Sequence, residues 1–151
     1  MEFDAIDRKI LAAVQANGRA THGEIAGVVP LSPSQIQRRI KRLEDEKVIT
    51  GYRAVIDHRR LGYRVMAFTS VSLRNQKNDD AKKFQTAISR IGAVVECQII
   101  SGDADYLLRV IASDLESLSN VIRNEILSLP MVARVNSQIV FETVKAADLP
   151  I

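Results

Sequence analysis

The sequence predicts an α+β fold with two domains, a helical one followed by one in which strands and helices alternate. Three observations carry this prediction. Apolar residues recur at helical spacing over residues 1–60, whereas runs rich in β-branched residues begin at residue 61 and alternate with helical segments. The charge balance changes at the same place, from 11 Lys and Arg against 8 Asp and Glu in residues 1–60 to 10 against 10 in residues 61–151. We therefore predict domains over residues 1–60 and 61–151.

Two helices are predicted to open the first domain. The first spans Asp4–Ala16 and the second about His22–Val28, because apolar side chains recur at helical spacing in both segments. Thr21 is placed to cap the second helix, and Glu24 follows three residues later, as in a capping box. A short turn then leads to a third helix.

The third helix lies within Leu31–Glu44, which reads LSPSQIQRRIKRLE. Ser32 can accept the first free backbone N–H groups, Pro33 stands where its missing N–H costs nothing, and Gln35 completes a capping pattern. At about 100° per residue the helix has one apolar face and one polar, basic face. These faces carry Ile36, Ile40 and Leu43 on the first and Ser34, Arg38, Lys41 and Arg42 on the second.

The third helix is strongly basic, with four cations and no acid between Gln35 and Leu43. Solvation alone accounts for many basic helices, and that alternative stays open on charge alone. However, three helices followed by the β-branched segment Val48–Ile56, broken at Gly51, predict a winged helix-turn-helix. Because the excess positive charge of the chain lies in this domain, the predicted partner is double-stranded DNA.

The second domain is predicted to have the element order β-α-β-β-α-β. This order is typical of a ferredoxin-like domain, in which two helices cover one face of a four-stranded antiparallel sheet. The strands are apolar on more than one side, so we expect the sheet of a second subunit to cover the other face in a twofold dimer. The predicted elements are strand Val65–Leu73, helix Asp79–Ile91, strands Ala93–Ile100 and Tyr106–Ala112, a helix from its Asp114 cap to Pro130, and strand Val132–Val144.

The composition argues against several classes of protein. The single cysteine, Cys97, cannot form an internal disulfide, and its apolar neighbours predict that it is buried. No apolar run reaches the roughly 18 residues of a membrane span, and the acids in Met1–Lys9 are unlike a signal peptide, so we predict a cytoplasmic protein. His22 and His58 are the only histidines, and no metal-ligand or catalytic spacing accompanies them, which argues against an enzyme. The alternatives are a ferredoxin-like small-molecule-binding module and a small dimeric enzyme.

Several motifs occur in a fixed order along the whole chain: FDAIDRKIL, NGRA, LSPSQIQRRIKRLEDEKVITGY, GDADYLLRV, SLPMV and a final LPI. In this order they resemble the Lrp/AsnC family of bacterial and archaeal transcription regulators. The resemblance implies a regulator whose carboxy-terminal ferredoxin-like domain, of the RAM type, forms dimers and assembles them into a tetramer or octamer. It also implies that this domain binds a small-molecule effector, an amino acid or a related compound.

The resemblance places DNA-contacting residues on the third helix, whose start usually enters the major groove. Arg and Gln side chains can make paired hydrogen bonds to guanine and adenine, whereas the remaining cations suit phosphates. The residues implied are Ser34, Gln35, Gln37 and Arg38 for bases, and Arg39, Lys41, Arg42 and Arg53 for phosphates.

The resemblance places the effector pocket at the GDADY loop, where dimers meet. A carboxylate can receive the ammonium group of an amino acid, and free loop N–H groups can hold its carboxylate. From the residues alone, an ordinary hairpin turn is the favoured explanation of this loop. The effector residues implied are Gly102, Asp103, Ala104, Asp105, Tyr106 and Ser137, and no residue is implied to hold a metal or cofactor.

Three residues depart from the pattern of the family. Lys47 stands where a glycine usually ends the recognition helix, Met131 where a glycine follows Leu-Pro, and Pro30 where a glycine is common. The first departure raises the question of how the helix ends, because lysine has a steric cost at positive φ that glycine lacks. Because Met131 stands close to the final strand, the ligand of a relative is not carried over to this chain.

Overall fold

A computed structural model describes residues 3–75, 78–145 and 150 of the chain. They form two compact units, one of residues up to Val55 together with Lys145 and Pro150, the other Ile56–Val144. The units differ from the predicted domains because residues 57–62 form a hydrogen-bonded turn that leads directly into the first strand. Pro150 lines a cavity of the first unit, while the other two residues of the LPI tail lie outside the described part.

The first unit contains the three predicted helices, α1 (Ala5–Ala16), α2 (His22–Ala26) and α3 (Pro33–Asp45). Each begins with a capping box, in which the cap side chain and the third helical residue exchange hydrogen bonds with each other's backbone. The second helix is shorter than predicted, since Gly27 already occupies its C-cap. The helices enclose a core of Ile10, Ile25, Val29, Ile36, Ile40 and Leu43.

The segment Val48–Ile56 does not form the predicted wing of paired strands. Within the described residues it has no regular secondary structure and belongs to no strand ladder. The backbone N–H groups of Val48 and Ile49 donate to the Leu43 carbonyl, so the start of the segment completes the end of α3. Val55 is fully exposed. A strand needs a neighbouring strand for its hydrogen bonds, and the described part of the unit supplies none. The helix-turn-helix is confirmed, whereas the predicted strand pair is wrong for the single chain.

The second unit has the predicted ferredoxin-like topology. Its elements are β1 (Val65–Leu73), α4 (Asn78–Ile88), β2 (Val94–Ile99), β3 (Tyr106–Ala112), α5 (Leu115–Asn120) and β4 (Val132–Ile139). A π-helical segment, Val121–Leu127, directly continues α5. The antiparallel sheet has the strand order β2-β3-β1-β4, so the first and third strands lie in the middle.

The sheet of the second unit has one buried face and one partly exposed face. Along β3 the burial alternates strictly, and the inward side chains pack with Phe84 of α4 and Ile126 of the π-helical segment. The outward side chains of the two central strands remain accessible, and Phe68 keeps 39% of its surface exposed. Sheets bury such apolar faces against another layer. The outward positions of the central strands include Met66, Phe68, Leu107, Arg109 and Ile111.

Cys97 is exposed, so the prediction of a buried cysteine is wrong. The apolar neighbours were a misleading signal, because Cys97 lies on β2, which is an edge strand. Partial burial still raises the pKa of the Cys97 thiol. No helix in the described residues is long and apolar enough to cross a membrane.

Candidate DNA-binding and effector sites

One face of α3 is fully available to a partner. Ile36, Ile40 and Leu43 are buried, so the side chains on the opposite side of the helix point away from the core. Ser34 and Arg38 lie on this outward side and are exposed, and Lys41 keeps 74% of its side-chain surface accessible. Its single ion pair, with Asp45 one turn away at 3.5 Å, is itself exposed and therefore weak.

Two of the four cations of α3 pair with acids at the start of α1. Arg39 Nη1 lies 2.7 Å from Asp4 Oδ2 and 2.7 Å from Asp7 Oδ1, and Arg42 Nη2 lies 2.6 Å from Asp7 Oδ2. The backbone N–H of Asp7, together with Arg39, holds the pKa of the Asp4 carboxyl below its usual value. The lack of acids within the basic segment of α3 therefore does not leave Arg39 and Arg42 unpaired, because the acids that bind them lie at the N-cap and in the first turn of α1.

Gln35 is also committed to the structure of the helix. Its Oε1 accepts hydrogen bonds from the Ser32 backbone N–H at 2.9 Å and from the Ser32 hydroxyl at 3.0 Å. The amide oxygen needed to read adenine is thus occupied at the helix cap. By contrast, Gln37 and Arg38 are exposed, and no hydrogen bond or ion pair holds them within the described residues.

Tyr52 anchors the segment that follows α3, a role that the sequence did not reveal. Its hydroxyl donates to Glu44 Oε1 at 2.8 Å, and burial together with this carboxylate raises the pKa of Tyr52 to about 12. The ring packs so close to Gly18 that a Cβ there would stand 3.4 Å from the ring. Arg53 follows directly and is exposed at the rim of a cavity of about 520 Å³ that Arg8 also lines. In the sequence, the signal available for this role was an aromatic residue directly after Gly51.

The predicted effector loop connects β2 to β3 as a hairpin. Gly102 has φ +113°, a conformation that favours glycine. The Asp105 carboxylate accepts from the Leu73 N–H at 2.7 Å, and the Asp105 N–H donates to the Val71 carbonyl at 3.0 Å. The Asp103 carbonyl accepts from Ser72 and Arg134, each at 3.3 Å. The loop is therefore tied to the neighbouring strands by Asp105 and by its backbone, which leaves the exposed Asp103 side chain facing solvent.

Tyr106 and Ser137 lie on the helix-covered face of the sheet. Tyr106 is buried, its ring lies 4.5 Å from that of Phe84, and its hydroxyl accepts from Gln85 Nε2 at 3.1 Å. The Ser137 hydroxyl lies 2.9 Å from that of Thr69, which is fully buried. These two predicted effector residues are thus already hydrogen-bonded within the domain, whereas Asp103 and Ala104 lie at its edge. Nowhere in residues 3–75, 78–145 and 150 do three or more His, Cys, Asp or Glu side chains form a group that could hold a metal ion.

Both halves of the chain match known families. Residues 3–44 match the AsnC-type helix-turn-helix domain, and residues 66–150 match the Lrp/AsnC ligand binding domain. The chain belongs to the Lrp/AsnC family. It is a DNA-binding transcriptional regulator with a carboxy-terminal ligand-binding domain, and the assignment made from its motifs is confirmed.

Relatives of this Lrp/AsnC regulator match it over nearly their full length. The proline dehydrogenase transcriptional activator of Rhizobium radiobacter is 38% identical over 95% of this chain and 92% of its own. The Bkd operon transcriptional regulator of Pseudomonas aeruginosa is 37% identical over 99% and 97%. Among solved structures, a transcriptional regulator of Neisseria meningitidis in complex with L-methionine has a TM-score of 0.94 at 32% identity and covers 99% of this chain and 97% of its own.

Lys47 ends α3 in the left-handed conformation, with φ +59°. The residue follows the C-cap Glu46, where glycine has no Cβ to strain the backbone. We expect Lys47→Gly to raise the free energy of unfolding of the regulator's DNA-binding domain by about 1 kcal/mol. Thermal unfolding followed by circular dichroism measures this change.

Lys47→Ala is the matched control for Lys47→Gly, because alanine also removes the charge but keeps a Cβ at the strained position. We expect no gain in stability from it. An equal gain from both substitutions would show that the charge, and not the backbone conformation, is unfavourable at this position.

Proposed function

We propose that this regulator reads base edges with the outward face of α3. The observation that carries the proposal is that Arg38 is exposed and forms no ion pair with any carboxylate in the described residues. Its neighbour on the same helix, Arg39, is instead bound to two carboxylates. Ser34 and Gln37 are exposed beside Arg38 and complete the base-reading set, since helices of this kind enter the major groove with their first turns. Lys41 and Arg53 are the proposed phosphate contacts.

We propose an amino acid as the effector, bound at the Gly102–Tyr106 loop. The L-methionine complex of the Neisseria meningitidis regulator supports this class of ligand. Within the loop, the exposed Asp103 carboxylate is the group offered to the ammonium end of the ligand. Asp105 has a different role, because its carboxylate holds the Leu73 N–H and fixes the loop. Ser137 and Tyr106 would support the pocket from the helix-covered side.

The proposed assembly is a homo-oligomer built from twofold dimers. The outward face of the sheet, with Phe68 and Leu107 near its centre, is the proposed contact between two subunits. A self-complementary apolar face is suited to a closed twofold interface. Further association of dimers into a tetramer or octamer would bring effector loops of different dimers together, so that ligand binding changes the spacing of the DNA-binding domains.

We further propose that the chain acts as a regulator and not as an enzyme, because its relatives are transcriptional regulators. A cytoplasmic location is proposed with it, since the protein must reach chromosomal DNA. The test is binding of the purified full chain to DNA fragments from upstream of its own gene, measured as retardation at several salt concentrations. Absence of binding even at low salt would refute the DNA-reading function and favour a stand-alone small-molecule-binding module.

Effector binding is expected to raise the melting temperature of the full chain. A ligand present at 100 times its dissociation constant stabilises the folded state by about 2.7 kcal/mol. A thermal-shift screen of the amino acids, with L-methionine among them, should identify at least one that stabilises the protein. In Asp103→Ala this shift should be lost, while the melting temperature without ligand stays the same, because Asp103 is exposed.

Asp105→Ala is the matched comparison within the same loop. It should lower the melting temperature without ligand, because the Leu73 N–H loses its acceptor. An undiminished ligand shift in Asp103→Ala would place the effector site elsewhere on the domain.

A further inference from the structure

Asp7 is a buried carboxylate in a domain whose described core is otherwise apolar. It keeps 1% of its surface exposed and lies in the first turn of α1, where it also completes the capping box with Asp4. Burial of a carboxylate is costly unless other groups compensate for its lost hydration. The capping bond to the Asp4 N–H, at 3.3 Å, is too long to do this alone.

The compensation comes from the basic helix. Each oxygen of the Asp7 carboxylate accepts from a different guanidinium, Oδ1 from Arg39 at 2.7 Å and Oδ2 from Arg42 at 2.6 Å. Arg39 is held a second time by Asp4 at 2.7 Å, and only 23% of its side chain is exposed. Charge-assisted bonds of this length are about twice as strong as neutral ones. Both arginines are thus directed towards α1.

This arrangement divides the cations of α3 into two pairs. Among the described residues, Arg39 and Arg42 pair with acids at the start of α1, whereas Arg38 and Lys41 do not. Arg42 belongs to the polar face by its spacing and keeps 47% of its side chain exposed, but its guanidinium is bonded to Asp7. An arginine that is free to reach phosphate adds affinity for any DNA sequence, with a contribution of about 0.9 to the slope of log K against log salt. It adds no discrimination between sequences.

We propose that Asp7 is a specificity-determining positioning residue, which holds Arg39 and Arg42 away from the phosphates so that α3 contacts DNA through Arg38 and Lys41. The proposal rests on the use of α3 for DNA reading. It predicts that Asp7 lowers the affinity for non-specific DNA and thereby increases the ratio of preferred to random binding. The same carboxylate also fixes the orientation of α3 against α1.

The test compares the salt dependence of DNA binding among full-length variants, using a random-sequence duplex and the fragment from upstream of the chain's own gene. In Asp7→Asn, Arg42 is released while Arg39 keeps its bond to Asp4, so the slope on random DNA should become steeper by about 0.9, and affinity at 0.1 M salt should rise up to about 8-fold. The preference for the upstream fragment should fall. A merely structural role of Asp7 would weaken binding without making the slope steeper, and would overturn the proposal.

The double variant Arg39→Gln/Arg42→Gln provides a second test that does not depend on how Asp7→Asn folds. The slope of log K against log salt for this double variant should equal that of the wild type. Adding Asp7→Asn to the double variant should leave that slope unchanged. Lys41→Gln is the matched control, with an expected decrease of about 0.9. If the salt slope of the double variant decreased by about 1.8, both arginines would contact phosphate in the wild type. That result would overturn the proposed role of Asp7 and leave the proposed DNA-reading function intact. Failure of the wild type to bind any duplex would instead refute the proposed function.

Discussion

Replacing Arg38 with alanine is expected to weaken binding to the preferred DNA site by about 1–3 kcal/mol, a loss of roughly 5- to 150-fold in affinity. The side chain is exposed near the start of α3 and is free to make a bidentate contact with guanine. Binding to random duplex should fall much less, so the ratio between the two affinities decreases. Fluorescence anisotropy with both duplexes, over a series of salt concentrations, measures both effects.

Lys41→Ala is the matched comparison for Arg38→Ala, because Lys41 lies on the same outward face and is held only by an exposed ion pair. It should weaken binding to both duplexes to a similar extent and lower the salt slope by about 0.9, as expected for a lost phosphate contact. If both substitutions reduced binding to preferred and random DNA equally, α3 would contact the backbone without reading bases. The base-reading part of the proposal would then be wrong.

Phe68→Asp is expected to separate the proposed dimer into monomers at micromolar concentration. Phe68 lies on the central strand β1 at the outward face of the sheet and is 39% exposed in the single chain. Burying a charge there is costly, because its cross-strand neighbour Arg109 already pairs with Glu96 and compensates only in part, and twofold symmetry places two copies in the same interface. The dimer dissociation constant should therefore rise by at least about 100-fold. Sedimentation velocity of the wild type and the variant gives the masses directly.

Leu115→Asp is the control for Phe68→Asp. Leu115 is also a large exposed apolar residue, but it belongs to α5, on the helix-covered side of the sheet. We expect this variant to remain dimeric. An unchanged mass for Phe68→Asp would show that subunits do not associate through this face, and dissociation of both variants would point to a general effect of added charge.

Local signals in the sequence were sufficient for most of the fold. The caps at Thr21 and Ser32 were predicted and are present, because a capping box involves only four consecutive residues. The bounds of β1 and β3 agree with the prediction, since both central strands are rich in apolar and β-branched residues. The bounds of the two edge strands were predicted less well. The last strand ends at Ile139 and not at Val144, and β2 is one residue shorter at each end than predicted.

The wrong predictions for the wing and for Cys97 have one physical cause. A pattern of residues along the chain does not show whether a neighbouring strand is present beside it. Val48–Ile56 alternates like a strand, but no neighbouring strand in the described residues pairs with it. Cys97 has apolar neighbours, but its strand lies at the edge of the sheet.

The sequence by itself determined which helix carries the positive charge, which of its faces is apolar, and which family the chain resembles. These properties depend on residue type and on a helical period that is the same in every protein. Only the tertiary structure decided which cations remain free. Asp7 lies 32 residues before Arg39 and 35 before Arg42, and folding brings their charged groups within 2.7 Å. Whether a cation of α3 is available to DNA thus depends on how the helices pack, because an ion pair forms wherever the fold brings opposite charges together.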